Sequence, residues 1–277
     1  MESINIKKIN KTRILDDVSL VIAVYNKPIY LEKVFDSLEK QSRFPANVIL
    51  ADDGSSDAAL DALIEQYKKR LPVPLIRVWH EDKGWRKPLC VNKAVHHAND
   101  YIIFIDEDVI MHPRFIENHW RYKKPDTAMY GTTAILTPEM TEKLLNIKPF
   151  EDALIDKKFK KRNTWYLPFP VSKNTNKFAG RNFSMYKKDF IAVNGYDNDL
   201  IGEVGWEDTD LSYRLKNNGV NIRRIFGRCL GKHLYHKLHP YFYTQKIEQE
   251  RDRLIKKRIE TGFTRVENGY HEALSND

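Results

Sequence analysis

Three consecutive acidic residues, Asp106, Glu107 and Asp108, end an uninterrupted apolar run that begins at Tyr101. An apolar run without alternation is typical of a strand buried on both faces, as in the middle of a parallel sheet. In open α/β sheets, ligands bind beyond the carboxyl ends of the strands. Asp106 and Asp108 offer hard oxygen ligands there, which suit Mg²⁺ or Mn²⁺ bridging phosphate groups. A solvated loop is the structural alternative, and the residue types favour the metal site.

A second apolar run ends in Asp52 and Asp53, which are followed by Gly54 and Ser55. Carboxylates at such a strand end can accept hydrogen bonds from a nucleobase NH or a ribose hydroxyl group. The same residues also make a generic turn. The functional interpretation is favoured because the carboxyl ends of parallel strands meet at one edge of a sheet.

A cationic stretch follows the third apolar run. Lys83, Arg86 and Lys87 are suited to binding a diphosphate, and Gly84 would allow close approach of the backbone. A solvated charge run is the alternative interpretation.

Acidic residues also open a predicted helix that begins near Glu207 and Asp208 and includes Asp210. Acids in the first turn stabilise a helix through its dipole. A carboxylate beside an aromatic side chain, here Trp206, can also act as a general base toward a hydroxyl group.

Three histidines, His233, His236 and His239, lie within seven residues. Their spacing can bring an imidazole to a divalent metal that an aspartate already holds. A structural zinc site is less favoured, because no cysteine or clear fourth ligand accompanies them.

Strand and helix patterns alternate through the first 110 residues, which predicts parallel pairing in a Rossmann-like half. The alternation weakens after Pro113, where residues 128–136 are predicted to form one strand. Residues 150–178 are basic, aromatic and rich in proline, as in a long loop or lid. A long helix is predicted from Tyr241 to Thr261, with a loose tail beyond Phe263.

The charge is unevenly distributed over the 277 residues. The net charge is +8, but residues 1–110 carry a net charge of −1 and the remainder +9. A basic second half can face phosphate groups, an anionic membrane or nucleic acid, or can serve solubility. The sequence has no visible signal peptide, and no apolar run approaches the ~18 residues of a membrane span. Cys90 and Cys229 lack metal-ligand spacing, so we predict reduced core residues of a cytosolic protein.

Together these features resemble the inverting family 2 glycosyltransferases of the GT-A fold. The resemblance spans about Ser19 to His239, and the order and spacing of its modest motifs make it specific. The second half is similar to the galactosyltransferase-type region of bacterial capsule and lipopolysaccharide enzymes and of chondroitin-polymerase modules. The motifs are SLVIAVYNKPIYLEKVFDSLEKQS, VILADDGSSD, EDKGWRKPLCVNKA, YIIFIDEDVIMHP, GRNFSMYKKDFIAVNGYD, GWEDTDLSYRLKNNG and KHLYH.

The resemblance implies an α/β fold of the GT-A type, with a Rossmann-like nucleotide-binding half fused to an acceptor-binding half around one central mixed sheet. It implies an N-terminal arm over residues 1–18 and a nucleotide-sugar-binding half over 19–112. An acceptor and catalytic half would cover 113–240, and a C-terminal helix and tail 241–277.

The resemblance also implies binding roles for the donor and the metal. Asp52 would hold the uracil of a UDP-sugar with Asp53 nearby, and Arg86 would contact the diphosphate. Asp106 and Asp108 would form the Asp-x-Asp (DXD) pair, which touches the ribose and a Mn²⁺ or Mg²⁺ ion. His233 would complete the metal site, with His236 as the alternative ligand.

The catalytic roles that the resemblance implies fall on the first turn of the later helix. Asp208 would be the base, Glu207 would position the donor or acceptor sugar, and Trp206 would lie over the donor sugar. The family's usual Gly-Trp-Gly-Gly-Glu-Asp reads Gly-Glu-Val-Gly-Trp-Glu-Asp here, and Glu107 adds an acid within the metal motif. The first departure implies a different loop over the sugar, and the second implies a changed nucleotide or metal preference.

The implied activity is metal-dependent, inverting transfer of a hexose or N-acetylhexosamine from a UDP-sugar to a saccharide or lipid-linked acceptor in surface polysaccharide synthesis. The expected location is the cytoplasm, with peripheral contact to the inner face of the cytoplasmic membrane as a hypothesis. A sugar-nucleotide nucleotidyltransferase would have a glycine-rich loop where Tyr25 to Pro28 stand. A nucleic-acid-binding protein would leave the acids at 106–108 and 207–210 unexplained, so we expect no nucleic-acid partner.

Overall fold

A computed structural model describes residues 13–146, 171–200, 206–237 and 245–275. Its strands are β1 (Ile14–Val24), β2 (Phe44–Asp52), β3 (Leu75–Trp79), β4 (Tyr101–Asp106), β5 (Val109–Met111), β6 (Thr127–Tyr130), β7 (Thr132–Ile135), β8 (Val171–Asn174), β9 (Asn182–Tyr186), β10 (Asn221–Phe226) and β11 (Leu230–His233). They form an eight-stranded sheet of order β3-β2-β1-β4-β9-β6-β10-β8 and a three-stranded sheet of order β5-β11-β7.

Helices pack on both faces of the large sheet. The α-helices are α1 (Pro28–Glu39), α2 (Ala58–Arg70), α3 (Lys87–Val95), α4 (Phe115–Arg121), α5 (Pro138–Asn146), α6 (Lys187–Ala192), α7 (Glu207–Asn217) and α8 (Gln245–Glu260). A short 3₁₀ helix covers Ala273–Ser275.

The first four strands of the large sheet follow the predicted parallel arrangement. Strand β1 pairs in parallel with β2 and with β4, and β2 pairs in parallel with β3. Strand β9 then runs antiparallel between β4 and β6, so the central sheet is mixed. This topology confirms the predicted class of fold.

The sheet is buried on both faces because its central strands are continuously apolar. On one face, Leu20 and Ile22 of β1 pack in the same cluster as Leu31 and Phe35 of α1. On the other face, Val21 packs with residues of α3, α6 and α7. The absence of alternation in these strands therefore reflects burial on two sides.

The strand predicted over residues 128–136 is two strands in two different sheets. Strands β6 and β7 are separated by Gly131, whose N–H donates to the carbonyl of Asn182 at 3.3 Å. A side chain at Gly131 would place its Cβ only 1.9 Å from the carbonyl oxygen of Cys229. The chain therefore changes sheets at a glycine, which tolerates so close a backbone, and the prediction of a single strand is wrong.

The C-terminal segment is packed, which corrects the prediction of a loose tail beyond Phe263. Val266 and Tyr270 are buried, and the Tyr270 ring stacks on His96 with 4.0 Å between ring centroids. The side chain of Asn194 also bonds to the backbone of Val266. Long-range contacts therefore order a segment whose own sequence has weak patterning.

Some predictions fall outside the described residues. They concern the basic residues 157–162, the aromatic stretch 165–170, the loop 201–205 and His239. Both cysteines are buried and free, as predicted. Among the helices in the described ranges, we find none that is long and apolar enough to cross a membrane.

Candidate active site

The acids that end β2 and β4 lie at one edge of the large sheet. Strand β1 lies between these strands, with Val24 paired to Asp52 and Ala23 paired to Asp106. The edge is the carboxyl end of all three parallel strands, where ligands bind in such sheets. The sheet register therefore brings together acids that are 54 positions apart in the sequence.

The Asp52 carboxylate is fully buried and held from two sides. One oxygen accepts the N–H of Ser55 at 2.8 Å, and the other lies 2.7 Å from Nε of Arg77. Its neighbour Asp53 accepts the backbone N–H of Arg86 at 2.8 Å and lies 2.7 Å from Nε2 of His80. The predicted base-binding pair is thus rigid, and no sequence motif indicated Arg77 or His80 as its partners.

The side chain of Arg86 packs back toward its own loop. Its guanidinium donates to the carbonyl of Glu81, and its Nε is buried without a hydrogen-bond partner in the described structure. Gly54 has a φ of +92°, and a Cβ there would lie 2.6 Å from the backbone of Asp82. Glycine is required at this turn because both the conformation and the space exclude a side chain.

Asp108, His233 and His236 form a compact group of potential metal ligands. One ligand atom from each residue lies within 4.8 Å of the other two. The pairing of β11 with β5 produces this group, because His233 pairs with Val109, the residue after Asp108. The amide of Leu234 also donates to the carbonyl of Asp108 at 2.9 Å. Both predicted histidines therefore reach the predicted aspartate.

The ligand atoms of this group fit a divalent cation. Nε2 of His233 lies 3.3 Å from Oδ1 of Asp108, and Nε2 of His236 lies 3.2 Å from Oδ2 of the same carboxylate. Oδ1 of Asp108 is buried without a hydrogen-bond partner in the ranges described. Burial lowers the pKa of His233, despite the opposing charge of Asp108, which favours the neutral imidazole that binds metals. A carboxylate with two imidazoles suits Mn²⁺ better than Mg²⁺, because Mg²⁺ prefers oxygen ligands.

Asp106, the other half of the Asp-x-Asp pair, lies outside this three-residue group. Its carboxylate is 2.8 Å from Nζ of Lys87, and the same ammonium is 3.5 Å from Glu207. Burial by itself would lower the pKa of Lys87, but the charges of Asp106 and Glu207 raise it well above its usual value. Lys87 thus links the acid of β4 to the acid that opens α7.

The structure gives Glu107 a local role that its sequence position did not reveal. Its carboxylate accepts the N–H of Tyr25 at 2.9 Å and lies 3.7 Å from Nζ of Lys27. Burial raises its pKa to about 8, although Lys27 and the Tyr25 amide oppose that shift. Glu107 therefore anchors the turn after β1, and Lys27 also pairs with Asp108 at 3.4 Å.

Asp208 has the environment of a general base. Its side chain is partly buried, and Oδ2 accepts the N–H of Gly180 at 2.7 Å. Burial and the charge of Glu207 raise its pKa to about 7, against the lowering effects of the Gly180 amide and Lys87. A carboxylate that titrates near neutral pH is well suited to proton transfer at that pH. Trp206 and Glu207 beside it are both buried.

Asp210, also in this acidic turn, has a structural role. Its oxygens lie 2.6 Å from Nε of Arg214 and 2.9 Å from Nε of Arg258. Arg258 also reaches Asp197 at 2.9 Å. These buried ion pairs tie α7 to α8 and fix the helix that carries Asp208.

The fold is that of GT-A glycosyltransferases. The chain belongs to glycosyl transferase family 2, whose family model matches residues 19–190. A second model, described as the N-terminal domain of galactosyltransferase, matches residues 167–237. The glycosyltransferase prediction is thereby confirmed, and the nucleotidyltransferase and nucleic-acid-binding alternatives are set aside.

Named relatives include polysaccharide synthases. The chain is similar to the hyaluronan synthase of Pasteurella multocida, with 24% identity over 76% of this chain and 24% of that protein. It is also similar to the chondroitin synthase of Escherichia coli, with 23% identity over 87% of this chain and 41% of that protein. The chain thus spans less than half of the length of either relative.

A solved structure of GalNAc-T7 with UDP, GalNAc and Mn²⁺ has the same fold. The superposition covers 87% of this chain and 48% of the GalNAc-T7 chain, with a TM-score of 0.60 and 16% sequence identity.

Proposed function

We propose that this chain is a metal-dependent, inverting glycosyltransferase. It moves a hexose or N-acetylhexosamine from a UDP-sugar to a saccharide or lipid-linked acceptor in surface polysaccharide synthesis. The observation that carries the proposal is the joint placement of a metal-ligand group around Asp108 and a carboxylate of raised pKa, Asp208, at one edge of the sheet. The named synthases and the UDP and Mn²⁺ of the GalNAc-T7 structure support the donor and the metal.

The described contacts support a division of roles. Asp52, fixed by Arg77, accepts the uracil NH through a remaining lone pair, with Asp53 holding the adjacent loop. Asp106 contacts the ribose. Arg86 contacts the diphosphate after its guanidinium turns away from the Glu81 carbonyl, to which it donates in the described structure.

The metal site and the catalytic turn complete the proposed mechanism. Asp108, His233 and His236 hold the ion, which when bound offsets negative charge on the leaving diphosphate. Asp208 removes the proton of the acceptor hydroxyl on the opposite face of the sugar, which gives inversion. Glu207, held by Lys87, positions a sugar hydroxyl group, and Trp206 lies over the donor sugar.

Binding of UDP together with Mn²⁺ tests this function directly. A ligand that binds only the folded state at 100 times its Kd stabilises it by about 2.7 kcal/mol, which raises the melting temperature by roughly 5 °C for a protein of this size. We expect this shift with UDP and Mn²⁺ together, and a much smaller one with UDP and a chelator. GDP and Mg²⁺ are the matched comparisons. The proposal would be contradicted if UDP raised the melting temperature equally with Mn²⁺ and with the chelator. It would also be contradicted if GDP raised the melting temperature and UDP did not.

We also propose peripheral contact with an anionic membrane surface, supported by the net charge of +9 in residues 111–277. Each basic residue near such a surface contributes ~1 kcal/mol, so neutralising five should weaken binding to anionic vesicles by at least ~100-fold. The variant changes Lys157, Lys158, Lys160, Lys161 and Arg162 to glutamine, and cosedimentation with phosphatidylglycerol vesicles measures the effect. Changing the exposed Lys68 and Lys69 to glutamine is the control. Unchanged vesicle binding by the five-residue variant would refute the proposal that these residues contact the membrane.

A further inference from the structure

Arg181 is a cation of the active-site edge for which no motif indicated a role. It stands in the turn before β9, between two residues whose positions are fixed. Gly180 donates its N–H to Asp208 at 2.7 Å. On the other side, the amide group of Asn182 donates to the carbonyl of Cys229 at 2.9 Å, and its oxygen lies 3.0 Å from Nε2 of His119. The backbone that carries Arg181 is therefore held firmly.

The antiparallel register of β9 and β4 places Arg181 next to Asp106. Asn182 pairs with Ile105, and the next residue on each strand is Arg181 and Asp106. On its other side, Arg181 follows Gly180, whose N–H holds Asp208. Arg181 therefore lies between Asp106 and the turn that holds Asp208.

The charge of Arg181 is not matched within the described residues, in contrast to the two neighbouring lysines. Lys27 pairs with Glu107 and Asp108, and Lys87 pairs with Asp106 and Glu207. Nε of Arg181 is buried without a hydrogen-bond partner, and the described ranges contain no ion pair of its guanidinium. A partly buried guanidinium without a partner is costly unless a ligand supplies the anion.

We propose that Arg181 binds a pair of anionic oxygens on the donor, next to the bond that breaks; this inference rests on the proposed function. The guanidinium fork matches two oxygens of a phosphate or a carboxylate. The oxygens belong to the phosphate that carries the sugar or to a carboxylate of a uronic-acid sugar. In the proposed mechanism the bond that breaks faces Asp208, and Arg181 directly follows Gly180, whose N–H holds that carboxylate.

Calorimetric titration of Arg181→Gln with UDP, UMP, a UDP-hexose and a UDP-hexuronate, each with Mn²⁺, tests the proposal. Loss of a charged hydrogen bond should weaken binding by about 10- to 100-fold. If the phosphate is the ligand, UDP weakens by this factor while UMP does not. If a sugar carboxylate is the ligand, UDP and the UDP-hexose are unchanged and only the UDP-hexuronate weakens. Arg181→Lys should recover part of the affinity, because it keeps the charge but not the fork.

Arg121→Gln, at an exposed position on α4, is the matched control and should bind all four ligands like the wild type. Melting temperatures without ligand show whether each variant is folded. Wild-type affinity of Arg181→Gln for all four nucleotides would overturn the inference and leave the proposed function standing. Failure of the wild type itself to bind any uridine nucleotide would refute the proposed function, and the inference with it.

Discussion

Replacing Asp208 with asparagine should reduce sugar transfer by ~10²–10⁴-fold, the usual loss when a general base is removed. The amide oxygen of asparagine can still accept the Gly180 N–H, so the side chain should keep its position. It cannot accept the proton of the acceptor hydroxyl group. The loss should therefore appear in kcat, with UDP affinity in the presence of Mn²⁺ close to that of the wild type. Steady-state kinetics and calorimetry measure the two quantities separately.

Asp199→Asn is the control for this substitution. Asp199 is exposed and accepts a hydrogen bond from Asn268, and the structure shows no contact between it and the described acids of the sheet edge. That variant should transfer sugar at the wild-type rate. Near-wild-type transfer by Asp208→Asn would show that another group is the base.

The pH profile of the wild type provides an independent measure of the same group. Burial and Glu207 raise the pKa of Asp208 to about 7. A base is active when it is deprotonated, so kcat/KM should rise with pH and level off above about 7. Well below that pH the rate should fall about tenfold per unit, because the deprotonated fraction falls by that factor. A profile without this rise between pH 5.5 and 8 would contradict the assignment.

Replacing Asp108 with asparagine should abolish the Mn²⁺-dependent part of UDP binding. Substitutions in the outer shell of a metal site cost ~10–100-fold in affinity, and the loss of a charged ligand should exceed this. Burial would raise the pKa of Asp108, but His236, His233 and Lys27 together lower it to about 2. The carboxylate is therefore charged at neutral pH. Titration of Mn²⁺ in the presence of UDP measures the loss.

Asp108→Asn should also lower the melting temperature without metal. A group whose pKa is lowered on folding adds stability above its unfolded pKa, and this is lost as the pH falls through the folded value. At neutral pH the substitution removes that contribution and leaves Lys27 with one acidic partner fewer. A wild-type response to Mn²⁺ in this variant would rule out Asp108 as a ligand.

Single alanine substitutions decide between the two histidines. If both histidines bind the ion, His233→Ala and His236→Ala should each weaken Mn²⁺ binding. We expect this because a ring nitrogen of each histidine lies within 4.8 Å of a carboxylate oxygen of Asp108. The exposed His97 provides the control, and His97→Ala should bind Mn²⁺ normally. Normal Mn²⁺ affinity in His236→Ala alone would leave His233 as the sole histidine ligand.

The strands, the helices and the sheet edge that carries the candidate acids could be predicted from the amino-acid sequence. Apolar runs that end in Asp52 and Asp106 identified buried strands and the ends that carry acids. Helical periodicity between them required parallel pairing, and parallel pairing places those ends together. These features are local, because an uninterrupted apolar run and the helical spacing of apolar residues are both visible within short segments of sequence. The class of fold and the edge that carries the candidate acids therefore follow from the order of residues alone.

Which of those residues come into contact depends on long-range packing. The pairing of β11 with β5 brings both His233 and His236 to Asp108, across more than 120 positions of sequence. Long-range packing also ends one strand and begins another at Gly131, and orders the segment around Tyr270. The partners of Asp52, Glu107 and Arg181 depend on the same packing, and no pattern of nearby residues encodes them. Two charged side chains pair only if the fold brings them close together in space. The sequence therefore did not show that Lys27 and Lys87 have acidic partners among the described residues and that Arg181 has none.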